Sequence, residues 1–300
     1  MTNATIPTIA SVGPNLPLPL LEATGRYGGP LSIDLDRPVT DAGQWLESKF
    51  APWAPLALQA WADGVYDHLE RVVFSRADDT AQRLYYYVCE LQRRGRIGGP
   101  QALLFDIATI PRPSSRERTA QKVRELAAML AIDDEALERA IVVSNDRLLS
   151  GRDGERDGPA CLLAGSPTPD RRLHDAIEAQ GFAAFGKTLA EYWSTPGTII
   201  ECGTGDPAGA IGASLHEGAI GPRSFADRSD LLRDSLTRVR ARAAILWRIE
   251  EDEAQVWHLP AERRVLQESG VPHLVMTRRD WFARDGAVGE IANFLKGLPK

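Results

Sequence analysis

Cysteine is scarce in this chain, and its arrangement excludes more than its number does. Cys89, Cys161 and Cys202 are odd in number and far apart, with no Cys-x-x-Cys pair. That spacing offers neither a disulfide framework nor a local zinc motif, and it fits a reducing cytoplasm. An excess of basic charge is lacking too: 35 Lys and Arg stand against 41 Asp and Glu, a formal net charge of −6, which leaves no electrostatic footprint for nucleic acid. No apolar run approaches the roughly 20 residues of a membrane-spanning helix. The opening MTNATIPTIASVGPNLPLPLL has no basic leader region and is broken by prolines, unlike a secretory signal. The expectation is an unprocessed cytoplasmic protein that meets neither nucleic acid nor membrane. Two catalytic signatures are missing as well. No Ser/His/Asp order is recognisable, and GTGDPAG (Gly203 to Gly209) lacks the strand-loop-helix context of a dinucleotide fingerprint.

What is present is a 43% hydrophobic chain of 300 residues, enough for a sizeable core in one large or two ordinary domains. After a Pro-rich lead, LSIDL (Leu31 to Leu35) reads as a strand. A helical run from Ala42 to Ala62 is interrupted by Pro52 and Pro55, which implies a break. RVVFS (Arg71 to Ser75) reads as a strand, Thr80 to Arg93 as a helix and QALLFDI (Gln101 to Ile107) as a strand, followed by two helices from Ser114. A polar, glycine-containing stretch, Ser150 to Pro159, then marks a boundary. The alternation restarts with ACLLAGSP, a helix closed by Gly181, FAAFG, a loose glycine-rich region from Ser194 to Phe225, a helix, an apolar strand from Ala243, a helix, PHLVMT and a terminal helix. Strand-helix alternation of this kind argues for parallel sheets. The predicted fold is α/β, with two tandem Rossmann-like domains of doubly wound sheet: residues 1–155 with helical additions, and residues 156–300.

The stretch AILWRIEEDEAQVW poses the functional question, because its strand ends in Glu250, Glu251, Asp252 and Glu253. Ligands of open α/β sheets collect at that edge, whereas acids in a first turn also simply complement a helix dipole. Gly165 and Ser166 follow one strand and precede a helix, where backbone N–H groups receive phosphate or carboxylate, although a tight turn explains the glycine equally. Ser75, at the end of RVVFS, is grouped with them as ligand-binding. Cys161 reads as a small core hydrophobe, Cys89 as a packing residue beside Tyr85 to Tyr87, and Cys202 as the most reactive thiol. His174 reads as a helix-surface histidine, and His258 lies near the acidic run.

Several pieces together resemble the 2-hydroxyacyl-CoA dehydratase and benzoyl-CoA reductase family. LLAGSPTPDRRLHDAIEAQGFAAFGKTL, with Gly165-Ser166-Pro167 and then Arg172 to Ile177, resembles the opening of that family's second domain. ILWRIEEDEAQVWHLPAERRVLQESGVPHLVM resembles its final strand, helix and strand. LPLPLLEATGRYGGPLSID and RVVFSRADDTAQRLYYY resemble parts of its first domain, so the likeness covers most of the chain. The resemblance implies two domains facing a central cleft, a four-iron, four-sulfur cluster on three cysteines, an acyl-CoA nearby, heterodimeric pairing, and in many members a separate ATP-hydrolysing activator. Here the three cluster positions fall on Ala51, Asp78 and Asp252, and none is cysteine. Carboxylates are poor replacements for cluster thiolates. The expectation is therefore no cofactor in this chain, with a cluster only in a homologous partner subunit and with acyl-CoA as the ligand. Asp78 and Asp252 are the candidate catalytic carboxylates of an alternative independent enzyme, acid-base or metal-dependent, while a non-catalytic acyl-CoA-binding module is a third reading. Arg76 is expected to neutralise such acids, and Trp53 and Trp257 are expected to fill part of the space a cluster would occupy.

Overall fold

Short apolar strands that need cover on both faces generate two parallel sheets. The computed structural model describes residues 8–47, 49–150, 157–218 and 226–299. Its first series is β1 (Ile9–Val12), α1 (Leu18–Ala23), β2 (Tyr27–Pro30), α2 (Asp41–Trp45), α3 (Trp53–Ala62), β3 (Arg71–Ser75), α4 (Asp79–Arg93), β4 (Gln101–Phe105), α5 (Pro113–Leu130) and α6 (Asp134–Ser150). The second series is β5 (Ala160–Gly165), α7 (Arg172–Glu178), β6 (Ala183–Phe185), α8 (Leu189–Trp193), α9 (Pro207–Glu217), α10 (Arg228–Arg238) and β7 (Ala243–Ile249). A 3-10 turn over Glu253–His258 follows, then α11 (Leu259–Ser269), β8 (His273–Arg279) and α12 (Ala287–Lys296).

The sheets run β2-β1-β3-β4 and β6-β5-β7-β8, with every pairing parallel. Both therefore have the same order: the chain leaves a central strand to one side, returns, and continues on the other. The points of reversal lie between β1 and β3 and between β5 and β7, the positions at whose C-terminal ends α/β proteins bind ligands. Val72, Val73 and Phe74 in β3 are fully buried, and every residue of β7 from Ala243 to Ile249 is buried. Such unbroken burial belongs to parallel strands covered on both faces. One core packs β1 and β3 under α5, α6 and α9 through Ile9, Val73, Val123, Leu137, Ile141 and Ile211. Another packs β5 and β7 under α10 and α11 through Leu162, Leu232, Leu236, Leu246 and Leu266.

Three expectations need correction. The first strand, β1, lies inside the Pro-rich lead. The strand expected at Leu31 to Leu35 is formed instead by Tyr27–Pro30, paired with Ile9 and Ser11. Leu31 extends that pairing, donating to the Ser11 carbonyl at 2.8 Å, and β1 ends at Val12, followed by Gly13 at φ +92°. The third correction is α9, in the region expected to be loose: Asp206 accepts from the Gly209 N–H at 3.0 Å, caps the helix and precedes Pro207 at its first position. The break at Pro52 is real and separates α2 from α3.

The chain divides into two compact units, Met1–Arg152 with Trp193–Phe225, and Asp153–Tyr192 with Ala226–Lys300. A single cut near residue 155 thus misses the return of α9 to the first unit. The physical reason is close helix packing: a Cβ on Gly212 of α9 would stand 2.6 Å from Cα of Ala120 in α5. Among the described residues no helix is long and apolar enough to cross a membrane. Gly212→Val forces α9 off α5 and is expected to cost about 1–3 kcal/mol, read as a lower urea midpoint. An unchanged midpoint would show that this contact does not hold α9 in place.

Candidate functional site

In the first unit the sequence candidates gather at the start of α4. Ser75 is fully buried, and its Oγ accepts from the Ala77 N–H at 3.0 Å. Asp78 has extended backbone, and its Oδ1 accepts from the Ala81 N–H at 2.7 Å, an N-cap of α4. The Ala51 N–H donates to Oγ1 of Thr80 at 3.3 Å, which ties the entry to α3 to the same helix start. Gly13 completes the group, since a Cβ there would stand 2.9 Å from Cβ of Ser75. Arg76 reaches Asp106 at 2.8 Å.

In the second unit the corresponding edge is held by one serine. Gly165 has φ +112°, and a Cβ on it would stand 1.9 Å from the Trp247 carbonyl oxygen, so only glycine fits between β5 and β7. The Ser166 N–H then donates to that carbonyl at 2.8 Å. Its hydroxyl donates to the Asp252 carboxylate and accepts from the Ile249 N–H at 3.3 Å. Ser166 therefore ties the end of β5 to the end of β7, and the acidic run is both a strand edge and the opening of a 3-10 turn, with Gln255 N–H donating to the Asp252 carbonyl at 2.9 Å. Glu250 pairs outward with Arg278 at 2.9 Å. Glu251 differs from its neighbours: burial pushes its carboxyl above the ordinary value, and the charges of Glu250, Asp280 and Asp252 push the same way.

Beneath this edge lie groups that sequence reasoning did not single out. Arg248, inside β7, forms a buried ion pair with Glu262 of α11. Arg248 Nε and Glu262 Oε2 have no hydrogen-bond partner. Burial lowers the Arg228 pKa; the charge of Arg248 adds to this, while Tyr192, Glu262 and Asp252 oppose it. The available signal was an arginine within the otherwise apolar strand AAILWRI.

Other candidates fall elsewhere. His174 is 1% exposed rather than on the surface, because Leu173, His174 and Ile177 share the face of α7 turned to the core. Burial holds its pKa below the ordinary value, and the adjacent Gly186 backbone opposes that. Cys161 is buried and its thiol is pushed up to about 12, Cys89 is half-buried, and Cys202 is exposed beside Asn145. Trp53 packs edge-on against Trp193 at 4.9 Å, whereas Trp257 is 86% exposed and fills no interior space. In GTGDPAG no strand precedes the helix; Asp206, its cap, is held by Arg124 at 2.6 Å.

The donor chemistry does not fit a cluster at the three positions the resemblance assigns. Ala51 has no donor atom, and the carboxylates of Asp78 and Asp252 are hard ligands engaged by Ala81 and Ser166. Among the described residues no group of three or more His, Cys, Asp or Glu side chains is placed to hold a metal ion.

Two outcomes follow from the buried groups. Glu262→Ala leaves Arg248 buried and unpaired, an expected loss of about 3–5 kcal/mol in chemical denaturation, which replacing Arg248 with Met in the same protein should largely recover. For His174 the folded pKa is depressed, so the unfolded chain takes up the proton first. Its contribution to stability is intact above the unfolded value of about 6.5 and is lost as pH falls below it. Urea midpoints between about pH 7 and 5 should fall less steeply in His174→Leu than in the parent protein; parallel slopes would remove His174 from the acid response. Compared with models of known protein families and with curated proteins, the chain finds no match.

Proposed function

We propose that this protein is a divergent subunit of the 2-hydroxyacyl-CoA dehydratase and benzoyl-CoA reductase type, without a cluster of its own. In this reading it works in the cytoplasm, pairs with a cluster-bearing homologue, and lends part of an acyl-CoA cleft to dehydration or reduction carried out by the partner. The observation that carries the reading is the fate of the three cluster positions. Asp78 and Asp252 follow β3 and β7, by the strand ends where α/β ligands collect, and Ala51, Asp78 and Asp252 are tied into the fold through Thr80, Ala81 and Ser166. Purification from the native cell should yield a second homologous chain and iron and sulfide near one cluster per pair. A chain that purifies alone, or that assembles a cluster on Cys89, Cys161 or Cys202 by itself, would overturn the reading.

Glu251 favours a second reading, an independent acid-base enzyme acting on a CoA ester. Partial desolvation and the charges of Glu250, Asp280 and Asp252 raise its carboxyl above the ordinary value, the direction that suits a proton-transfer group at a sheet edge. Turnover by the isolated chain, reduced about 10²- to 10⁴-fold in Glu251→Gln, would select this reading; the same rate in that variant would remove it.

A further inference from the structure

The first unit carries a pocket of about 580 Å³ at the C-terminal end of β4, lined by Arg76, Asp106, Arg112, Ser114, Ser115 and Arg118 among others. Asp106 accepts from Arg76 at 2.8 Å and from Arg118 at 2.9 Å. Its partial burial favours the neutral acid, but the two guanidinium groups outweigh that and hold the carboxyl below its ordinary range. Arg112 donates through Nε to Oγ of Ser115 at 3.3 Å, and among the described residues no carboxylate forms an ion pair with it. Three guanidinium groups and one carboxylate thus line a single pocket, a formal excess of two positive charges among its lining residues in a protein whose net charge is −6.

The chemistry of that excess is specific. Each guanidinium presents five N–H donors in a planar fork that matches phosphate oxygens. Asp106 holds two of these forks, one on each carboxylate oxygen. The pocket also sits beyond β3 and β4, on the edge of the sheet where α/β proteins place ligands. A monoanion would leave charge uncompensated, whereas a phosphate group carrying two negative charges balances the excess. We propose that this pocket binds such a phosphate group, either as a free inorganic species or as part of a nucleotide. The inference is independent of the subunit reading above.

The test is calorimetric titration of the full chain at constant ionic strength with inorganic pyrophosphate, ADP and sulfate. The expected result is saturable one-site binding of pyrophosphate or ADP, weakened at least tenfold in Arg112→Gln and in Arg118→Gln. Arg139→Gln, a change on α6 outside the pocket, should leave binding intact. Arg112 and Arg118 are exposed, and thermal melts of both variants should confirm that they fold. Tighter binding of ADP than of pyrophosphate assigns a nucleotide; the reverse assigns a free phosphate species. No saturable binding, undiminished binding in Arg112→Gln, equal binding of sulfate, or equal loss in Arg139→Gln would overturn the proposal.

Discussion

The approach of β5 to β7 at Gly165 is the constraint on which the second unit's functional edge depends. With a Cβ excluded by the Trp247 carbonyl, the backbone turns at positive φ and delivers the Ser166 N–H to that same oxygen. The hydroxyl of Ser166 then fixes Asp252 and Ile249, so one residue sets the position of the acidic run. Gly13 plays the equivalent part in the first unit, where the lack of a side chain admits Ser75 and the start of α4. Two sheets of identical strand order, each with a positive-φ glycine at the C-terminal end of its first strand, make the units variants of one plan.

That plan explains why carboxylates of similar type behave differently. Asp78 and Asp252 are hydrogen-bond acceptors that organise backbone, and their oxygens are engaged locally. Glu250 is a surface partner of Arg278, an arrangement worth little in exposed settings. Glu251, adjacent in sequence, is the one pushed toward the neutral form, because burial and like charges act together. Below them the Arg248 and Glu262 pair places charge inside the unit, where a missing partner is far more costly than at the surface. Charge in the first unit follows a different logic. There two arginines, Arg76 and Arg118, share the single carboxylate of Asp106.

The sequence by itself determined the class of the fold. Short, largely apolar runs such as RVVFS, ACLLAG and AAILWRI favour buried strands, and the helical segments between them favour parallel connection. It also located helix ends where the chemistry is local, as at Pro52 and Gly181. The same local reading missed β1, whose four residues are hidden among prolines, and α9, whose small residues give little amphipathic signal. Those two elements exist because distant partners cover them: β3 and β2 flank the first, and Ala120 of α5 receives the second at Gly212. The sites divide in the same way. Gly165 and Ser166 stood out because they follow a strand and precede a helix, a property of neighbours in sequence, whereas Asp78 stood out only through the resemblance. That Asp252 accepts from Ser166, that Arg248 finds Glu262, that His174 is buried and that Arg112 and Arg118 line one pocket with Asp106 were decided only by tertiary structure. Side-chain charge and burial depend on what long-range packing brings within a few ångströms, and the local pattern of a chain does not encode that distance.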